Sequence, residues 1–278
     1  MLVNLDYVLK DAQKNKYGVG LFNTTDTDML EAVIAAAEEL NSPVIIGTAE
    51  VLLPYGELKL IAPAMVAAAK RAKVPVVVHY DHGLTFERCM EALNLGFSSI
   101  MFDGSASPYE KNIADTAEIV KIAHAFGATV EGEIGHVGSA DAGDEGALDM
   151  YTRVEEAKAY MDATGVDALA VSIGTAHGAY KSKPRLDFKR LSDIHEAIPV
   201  PLVLHGGSGL SDDDFKNSIA CGISKVNIFT DLCLAGNRAM EKGLAQGKAY
   251  LDIRNMKVDE IKEEVKKKMI LFGCAGKY

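Results

Sequence analysis

The sequence predicts an α/β fold of one kind, a single (β/α)8 TIM barrel with an additional C-terminal helix. Three observations carry this expectation. Eight short runs are apolar throughout rather than alternating, the pattern of strands covered on both faces of a parallel sheet. Helix-period segments lie between them, and successive run ends fall about 29 residues apart, the length of one strand plus one crossover helix. The first run is followed by FNTTDTD, not by the glycine-rich GxGxxG turn that an open doubly wound sheet carries.

In chain order the strands are GVGLF (18–22), PVII (43–46), PVVVH (75–79), SSIMF (98–102), ATVEGE (128–133), ALAV (168–171), PLVL (201–204) and KVNI (225–228). Helices are expected over 29–40, 61–72, 85–96, 114–127 and 154–165, several of them ending at glycine as C-capped helices do. After the last strand, VDEIKEEVKKKMILFG reads as a closing amphipathic helix. Val258, Ile261, Val265, Met269 and Phe272 line one face of it, and its lysines are expected on a solvated face. No Pro/Gly/Ser linker or low-complexity tract interrupts the 278 residues, so a single domain over 1–278 is expected.

Composition narrows the function classes. With 48% apolar and 24% charged residues, collagen-like, coiled-coil and disordered readings are excluded. Lys and Arg number 29 against 39 Asp and Glu, and the resulting charge of −10 opposes a broad nucleic-acid or anionic-membrane surface. A small phosphorylated ligand stays compatible, because backbone N–H groups at helix N-termini hold phosphate without altering net charge. Cys89, Cys221, Cys233 and Cys274 lie far apart with no CxxC pair, which indicates reduced thiols rather than a disulfide framework or a thiolate zinc knuckle. The N-terminal segment lacks a basic n-region and a long apolar h-region, and no run approaches the roughly 20 apolar residues of a membrane span. A soluble cytoplasmic protein is expected.

In a barrel of this kind, residues just after strand C-termini converge on one mouth. The polar groups there are Asn23, Asp81, His82, Asp103, Glu133, His177, His205, Asn227 and Thr230. Three histidines from three strand ends can meet at one point, and neutral imidazoles hold zinc while leaving a fourth position open. His82 in HYDHG, His177 in IGTAHG and His205 in LHGGSG each stand beside glycine after an apolar run, where packing has little need of an imidazole. His79, inside its strand, and His124 and His195, in helical segments, read as structural; His136, in a loop, is open to either role. Gly206, Gly207 and Ser208 after the seventh strand, with Asn227, Phe229 and Thr230 around the eighth, offer N–H groups and hydroxyls where barrels commonly bind phosphate. Lys181 supplies local positive charge there.

These segments extend a long match. GLFN (20–23), HYDHG (79–83), GFSSIMFDGS (96–105), VEGEIGHVG (130–138), DALAVSIGTAHGAYK (167–181), LDF (186–188), PLVLHGGSG (201–209), KVNIFTDL (225–232) and the terminal LFGCAGK resemble the class II, zinc-dependent fructose-bisphosphate aldolases of the wider ketose-bisphosphate aldolase family. The resemblance implies a catalytic Zn2+, or another divalent metal, on His82, His177 and His205, with Glu133 as an outer-sphere or alternative ligand. It implies Asp81 as the acid/base carboxylate. Asn23, Gly178, Lys181, Gly206, Gly207, Ser208, Asn227 and Thr230 match positions around the dihydroxyacetone-phosphate half, where a bound Na+ or K+ is usual in the family. The implied reaction is reversible cleavage of a phosphorylated ketose to dihydroxyacetone phosphate and an aldehyde through a zinc-stabilised enediolate. Fructose 1,6-bisphosphate is the default substrate, with tagatose 1,6-bisphosphate and a ketose 1-phosphate as alternatives, and a homodimer or homotetramer is the expected assembly.

The departures from the family pattern fall on the aldehyde side. The loop after the fifth strand reads GSADAGDEGALD (138–149), so Asp141 or Glu145 stands in for the usual loop acid. Phe229 takes a place where fructose-bisphosphate members often carry aspartate, and Ala49 a place where many carry serine. AYLDIRNMKVDE (249–260) resembles a shortened form of the family's arginine-bearing turn, with Arg254 as the candidate for a second phosphate across a subunit interface. Two other readings compete: a metal-dependent sugar-phosphate epimerase or isomerase, and a non-catalytic sugar-phosphate-binding subunit.

Overall fold

All eight expected strands are present in the computed structural model, which describes residues 1–135, 137, 151–176 and 184–278. A two-residue strand β1 (Leu2–Val3) precedes them. The barrel strands are β2 (Val19–Asn23), β3 (Val44–Ala49), β4 (Val76–Gly83), β5 (Ser99–Phe102), β6 (Thr129–Ile134), β7 (Ala168–Val171), β8 (Leu202–Leu204) and β9 (Ile223–Ile228). Each is parallel to its neighbours, and β2 pairs with β9, Leu21 opposite Asn227, so that the sheet closes on itself. Val44, Ile45, Ile46, Val76, Val77 and Val78 are wholly buried, as unbroken apolar runs must be when helices cover the outer face.

The crossover helices are α2 (Thr27–Glu39), α3 (Leu58–Arg71), α4 (Phe86–Asn94), α5 (Tyr109–Ala125), α6 (Val154–Thr164), α7 (Phe188–Ala197), α8 (Asp212–Ala220) and α9 (Thr230–Ala245). Their ends follow local chemistry. Asp26 caps α2 by accepting from Met29 N, Ser211 and Asp214 form a reciprocal capping box on α8, and α6 stops at Gly165 in the left-handed region.

An N-terminal helix α1 (Leu5–Asn15) goes beyond the sequence expectation. Its alternating apolar and charged residues conceal a helical face, since Leu5, Val8, Leu9 and Ala12 are buried at i, i+3, i+4 and i+7. Leu5 N donates to Thr129 Oγ1 (3.1 Å) at the start of β6, and Gln13 Nε2 donates to the Pro199 carbonyl (3.2 Å) before β8. The helix therefore crosses the N-terminal end of the barrel and covers the end opposite the mouth.

The closing helix α10 (Tyr250–Phe272) buries all five expected side chains, Val258, Ile261, Val265, Met269 and Phe272, each worth about 1.5–3 kcal/mol. It starts two turns earlier than the sequence suggests, because nothing in 250–257 breaks a helix and the added turns pair with α2. Lys257 Nζ lies 2.7 Å from Asp28 Oδ2 and 3.1 Å from Asp26 Oδ2. The lysine face is accordingly not just solvated: Lys266 reaches Glu39 (2.6 Å) and Lys268 reaches Asp231 (2.7 Å). No helix among the described residues is long and apolar enough to cross a membrane, and all four cysteines are free thiols.

Candidate metal and catalytic site

Consecutive residues of a regular strand point to opposite faces, yet both Asp81 and His82 are needed on the inside. A register shift solves this. Between Tyr80 and Gly83, β4 carries one more residue than β5 opposite it, and His82 takes a left-handed φ of 45°. That conformation costs on the order of 1–3 kcal/mol in a non-glycine residue, a penalty typical of functional positions. Gly83 completes the bulge because a Cβ there would stand 2.6 Å from Cys89 Sγ and 2.7 Å from the Met101 carbonyl oxygen.

Each of the two histidines at the centre has one nitrogen committed to a carboxylate. His82 Nδ1 donates to Asp103 Oδ2 (2.8 Å), whose other oxygen accepts from Ser105 N (3.1 Å) and Ser105 Oγ (2.7 Å). His205 Nε2 donates to Glu131 Oε1 (2.8 Å). The remaining nitrogens, His82 Nε2 and His205 Nδ1, face each other at 2.7 Å. At that distance one nitrogen carries a proton that the other accepts, and a bound cation would take the place of that proton. Carboxylate-oriented histidines with converging lone pairs are the usual outer sphere of a metal site.

Asp81 is clamped from both sides. Its Oδ2 accepts from Asn23 Nδ2 (2.8 Å) and its Oδ1 from Asn227 Nδ2 (3.0 Å). Burial by itself would raise this carboxyl, but His82 and Lys225 beside it outweigh burial and hold it well below the usual range. Burial likewise disfavours charge on His82, yet Asp81 and Asp103 bring it up to about 9. Glu133 behaves oppositely. Burial and the neighbouring Asp103 carboxylate push it up to about 8, and its Oε2 has no hydrogen-bond partner among the described residues.

A divalent cation fits these donors. Asp81, His82 and His205 offer ligand atoms that lie within 4.8 Å of one another, as do His82, Asp103 and Glu133. A cation would replace the proton between the imidazoles, give Glu133 Oε2 a partner and offset the buried carboxylates.

The phosphate candidates assemble next to this centre. Gly206 has φ +66°, and a Cβ on it would lie 2.4 Å from the Ala176 carbonyl oxygen, so the chain after β8 lies against the segment after β7. Ser208 Oγ accepts from Phe229 N (3.3 Å), joining the loops after β8 and β9. Thr230 opens α9, whose N-terminus has no side-chain cap and thus leaves backbone N–H groups for an anion. Phe229 is partly buried against the core, and Ala49 ends β3.

Of the expected site residues, Asn23, Asp81, His82, Glu133, His205 and Asn227 share the barrel mouth, with Gly206, Gly207, Ser208, Phe229 and Thr230 at its rim. Arg254 stands apart from them on α10, where its Nε donates to Asp28 Oδ1 (2.8 Å) and its guanidinium also pairs with Glu31. Asp141, His177, Gly178 and Lys181 lie outside the described residues, as do His136 and Glu145.

Three buried groups went unnoticed as site components in the sequence. His79, read as structural, is fully buried, accepts or donates at Ser99 Oγ (2.8 Å), and is kept uncharged by burial and by Lys225, which push it down to about 3. Glu131 orients His205. Lys225, with no exposure, lies 2.8 Å from Glu131 Oε2 and donates to Asn227 Oδ1 (2.8 Å). The available signal was the i, i+2 spacing of polar residues in HYD, EGE and KVN, which places both members of each pair on one strand face.

Fold and site together define a (β/α)8 enzyme with a buried carboxyl group beside donor atoms that could hold a cation at its C-terminal mouth. The chain belongs to the class-II fructose-bisphosphate aldolase family, whose model matches residues 3–277, and it is an aldolase, a carbon–carbon lyase. It is 38% identical to a fructose-bisphosphate aldolase of Thermus caldophilus, over 100% of both chains. It is also 38% identical to a 6-phospho-5-dehydro-2-deoxy-D-gluconate aldolase of Shouchella clausii, covering 97% of this chain and 94% of that one. Among solved structures, the YdjI aldolase of Escherichia coli K12 superposes with a TM-score of 0.90 at 37% identity, covering 100% of this chain and 99% of the other.

Proposed function

We propose that this chain is a divalent-metal aldolase that reversibly cleaves a phosphorylated ketose into dihydroxyacetone phosphate and an aldehyde. The observation that carries the reading is Asp81, a buried carboxyl group that accepts from two asparagine amides beside the facing ring nitrogens of His82 and His205. His82, His205 and, from the family pattern, His177 would hold Zn2+ or another divalent metal, with Glu133 as an alternative ligand. The metal, when bound, supplies Lewis-acid polarisation of the ketone carbonyl. Asp81 accepts the proton of the C4 hydroxyl as the C3–C4 bond breaks. The hydroxyl oxygen becomes the aldehyde carbonyl, and the bonding pair stays with the three-carbon fragment. Asn23 and Asn227 donate to both carboxylate oxygens and keep the acceptor in its basic form until substrate arrives. Gly206, Gly207, Ser208 and the start of α9 would take the phosphate, with Gly178, Lys181 and a Na+ or K+ beside it. The proton that completes dihydroxyacetone phosphate is assigned to an acid of the segment 138–149, Asp141 or Glu145.

Fructose 1,6-bisphosphate is the default substrate. Phe229 and Ala49 place an aromatic ring and a methyl where family members often carry polar groups, which favours an aldehyde half that is less polar than glyceraldehyde 3-phosphate. A ketose 1-phosphate or a deoxy sugar acid phosphate, the class named for the Shouchella clausii relative, fits that change; tagatose 1,6-bisphosphate differs from the default only at C4. The acidic balance of −10 supports a chain without a nucleic-acid or membrane partner, and we place it in the cytoplasm as a single-domain homodimer or homotetramer. The test is release of trappable triose phosphate from each substrate before and after chelation. Loss on chelation and recovery with a divalent ion are expected; a rate indifferent to chelation, or a change of configuration without triose phosphate, overturns the reading.

A further inference from the structure

A buried polar cluster that the reaction as derived does not use lies on the helix side of the barrel wall, between α5, α6 and the ends of β5 and β6. Its members are Asn112 and Thr116 on α5 and Tyr160 on α6, none more than 2% exposed. Asn112 Oδ1 accepts from Thr116 Oγ1 (3.0 Å) and from Tyr160 OH (3.1 Å), and the two hydroxyls are 2.8 Å apart. Asn112 Nδ2 donates to the backbone carbonyl of Glu133 (2.9 Å). A carbonyl only accepts, so the NH2 must face Glu133 and the amide oxygen must face the hydroxyls.

The cluster touches two stretches of backbone at once. A Cβ on Gly132 would stand 2.7 Å from Tyr160 OH, and one on Gly104 would stand 2.4 Å from Asn112 Oδ1, so β6 and the turn after β5 both rest on it. Backbone pairing does not do this work. The register between β5 and β6 ends with Phe102 opposite Gly132, and the next residue, Asp103, turns to β4, its N donating to the Gly83 carbonyl (2.9 Å). Asp103 and Glu133 thus stand one step past the last pair, joined through Asn112, which bonds the Glu133 carbonyl and packs against Gly104. These are the two carboxyl groups that, with His82, bring ligand atoms within 4.8 Å of one another. An apolar side chain would fill a helix-to-strand contact at less cost than a buried amide with two hydroxyls, which is tolerable only because each is bonded.

We propose that Asn112, held by Thr116 and Tyr160, is a positioning residue that sets the spacing of Asp103 and Glu133 about His82, and with it how tightly a cation is held on that side of the mouth. The inference rests on the divalent-metal reading above and concerns the placement of two backbones only.

The experiment uses the full-length chain with Asn112→Leu, which keeps the bulk and removes the amide, and with Thr116→Val and Tyr160→Phe, which each remove one hydroxyl and keep the amide. Four quantities are read: Co2+ affinity by competition with a chromophoric chelator, the visible absorption spectrum of bound Co2+, kcat and KM at saturating metal, and the melting temperature. For Asn112→Leu the expected result is Co2+ binding weaker by about tenfold or more, the range typical of groups that orient a metal's ligands, with a shifted spectrum. Its kcat should fall while KM for the ketose phosphate stays within about twofold, because the phosphate candidates stand on the loops after β8 and β9. The two hydroxyl variants should melt lower than wild type yet keep the native spectrum and an affinity within about threefold. A native spectrum and affinity in Asn112→Leu, whatever its melting temperature, overturns the proposal alone and leaves a packing role. So does a loss of affinity in Thr116→Val or Tyr160→Phe as large as that in Asn112→Leu, since loosened packing and not the amide would then govern binding. A wild-type chain that takes up no Co2+ overturns the metal reading and the proposal with it. Where Asn112→Leu does not fold, the double variant Thr116→Val/Tyr160→Phe decides, its amide oxygen having lost both donors: Co2+ binding weaker than in either single variant supports the proposal, and native binding refutes it.

Discussion

Asp81→Asn separates the acid/base role from the structural one more cleanly than any truncation here. In the native site Asp81 accepts two amide N–H groups, from Asn23 Nδ2 and Asn227 Nδ2. An asparagine at this position offers one acceptor and one donor, so one neighbour must turn. Asn227 is pinned, since its oxygen receives the Lys225 ammonium. Asn23 is not: its Oδ1 is buried with no hydrogen-bond partner among the described residues, so a flipped Asn23 amide can accept from the new NH2. The exchange keeps two hydrogen bonds and loses their charge assistance, a cost of about 1–2 kcal/mol in stability. Catalysis should suffer far more. A positioned general base contributes about 10^2 to 10^4 in rate, or roughly 2.7–5.5 kcal/mol of barrier. The assay is triose phosphate release at saturating metal, alongside a denaturant melt. A kcat at least a hundredfold down in a protein that still melts cooperatively near the native midpoint is expected. A kcat within tenfold of wild type would refute the assignment of Asp81 as the proton acceptor.

Two further outcomes follow from single contacts. Gly206→Ala puts a Cβ 2.4 Å from the Ala176 carbonyl oxygen at a φ of +66°, so a stability loss of about 1–3 kcal/mol in a denaturant melt is expected, together with a raised KM for the phosphorylated substrate. Asp28 illustrates the pH dependence. Burial would raise its carboxyl, but Lys257 and Arg254 overcome this and lower it from 3.8. A folded-state value below the unfolded one contributes stability that is complete above 3.8 and is lost as the pH falls through the lowered folded-state value. Lys257→Met should therefore melt at a lower temperature than wild type near neutral pH, and the gap should close as the solution is acidified below 3.8. A gap that is constant with pH would mean that Lys257 stabilises through its aliphatic stem rather than its charge.

The barrel was legible because a strand covered on both faces leaves an apolar run with sharp ends. The runs 168–171 and 225–228 agree with β7 and β9 to within two residues at each end. The start of α10 was hidden for the complementary reason. Tyr250, Leu251 and Ile253 are apolar without forming a core stripe, and the pairs that hold those turns, such as Lys257 with Asp28, join residues more than two hundred positions apart. The strand-end rule found Asp81, His82, Glu133, His205 and Asn227. It passed over Glu131 and Lys225, because it reads only the residues at and just beyond a strand's C-terminus, and these stand two positions further in than Glu133 and Asn227.

That omission points to how deep the site goes. In HYD, EGE and KVN the outer residue of each pair is at the mouth and the inner one lies a layer below, where a barrel interior is ordinarily filled by branched apolar side chains. His79, Glu131 and Lys225 are each wholly buried, and leaving three polar groups there is costly unless they satisfy one another. They do so only in part: Lys225 answers Glu131, while His79 Nε2 remains 3.8 Å from Glu131 Oε2 and 3.9 Å from Asp81 Oδ1 without a hydrogen-bond partner among the described residues. Branched apolar residues would fill the layer at less cost. Its retention of charge is understandable if the lower layer orients the upper one, Glu131 holding the His205 ring and Lys225 the Asn227 amide. A pair of polar residues at i and i+2 inside an otherwise apolar barrel strand thus marks a site with a second, orienting layer, whereas a single polar residue at the strand end marks only its rim.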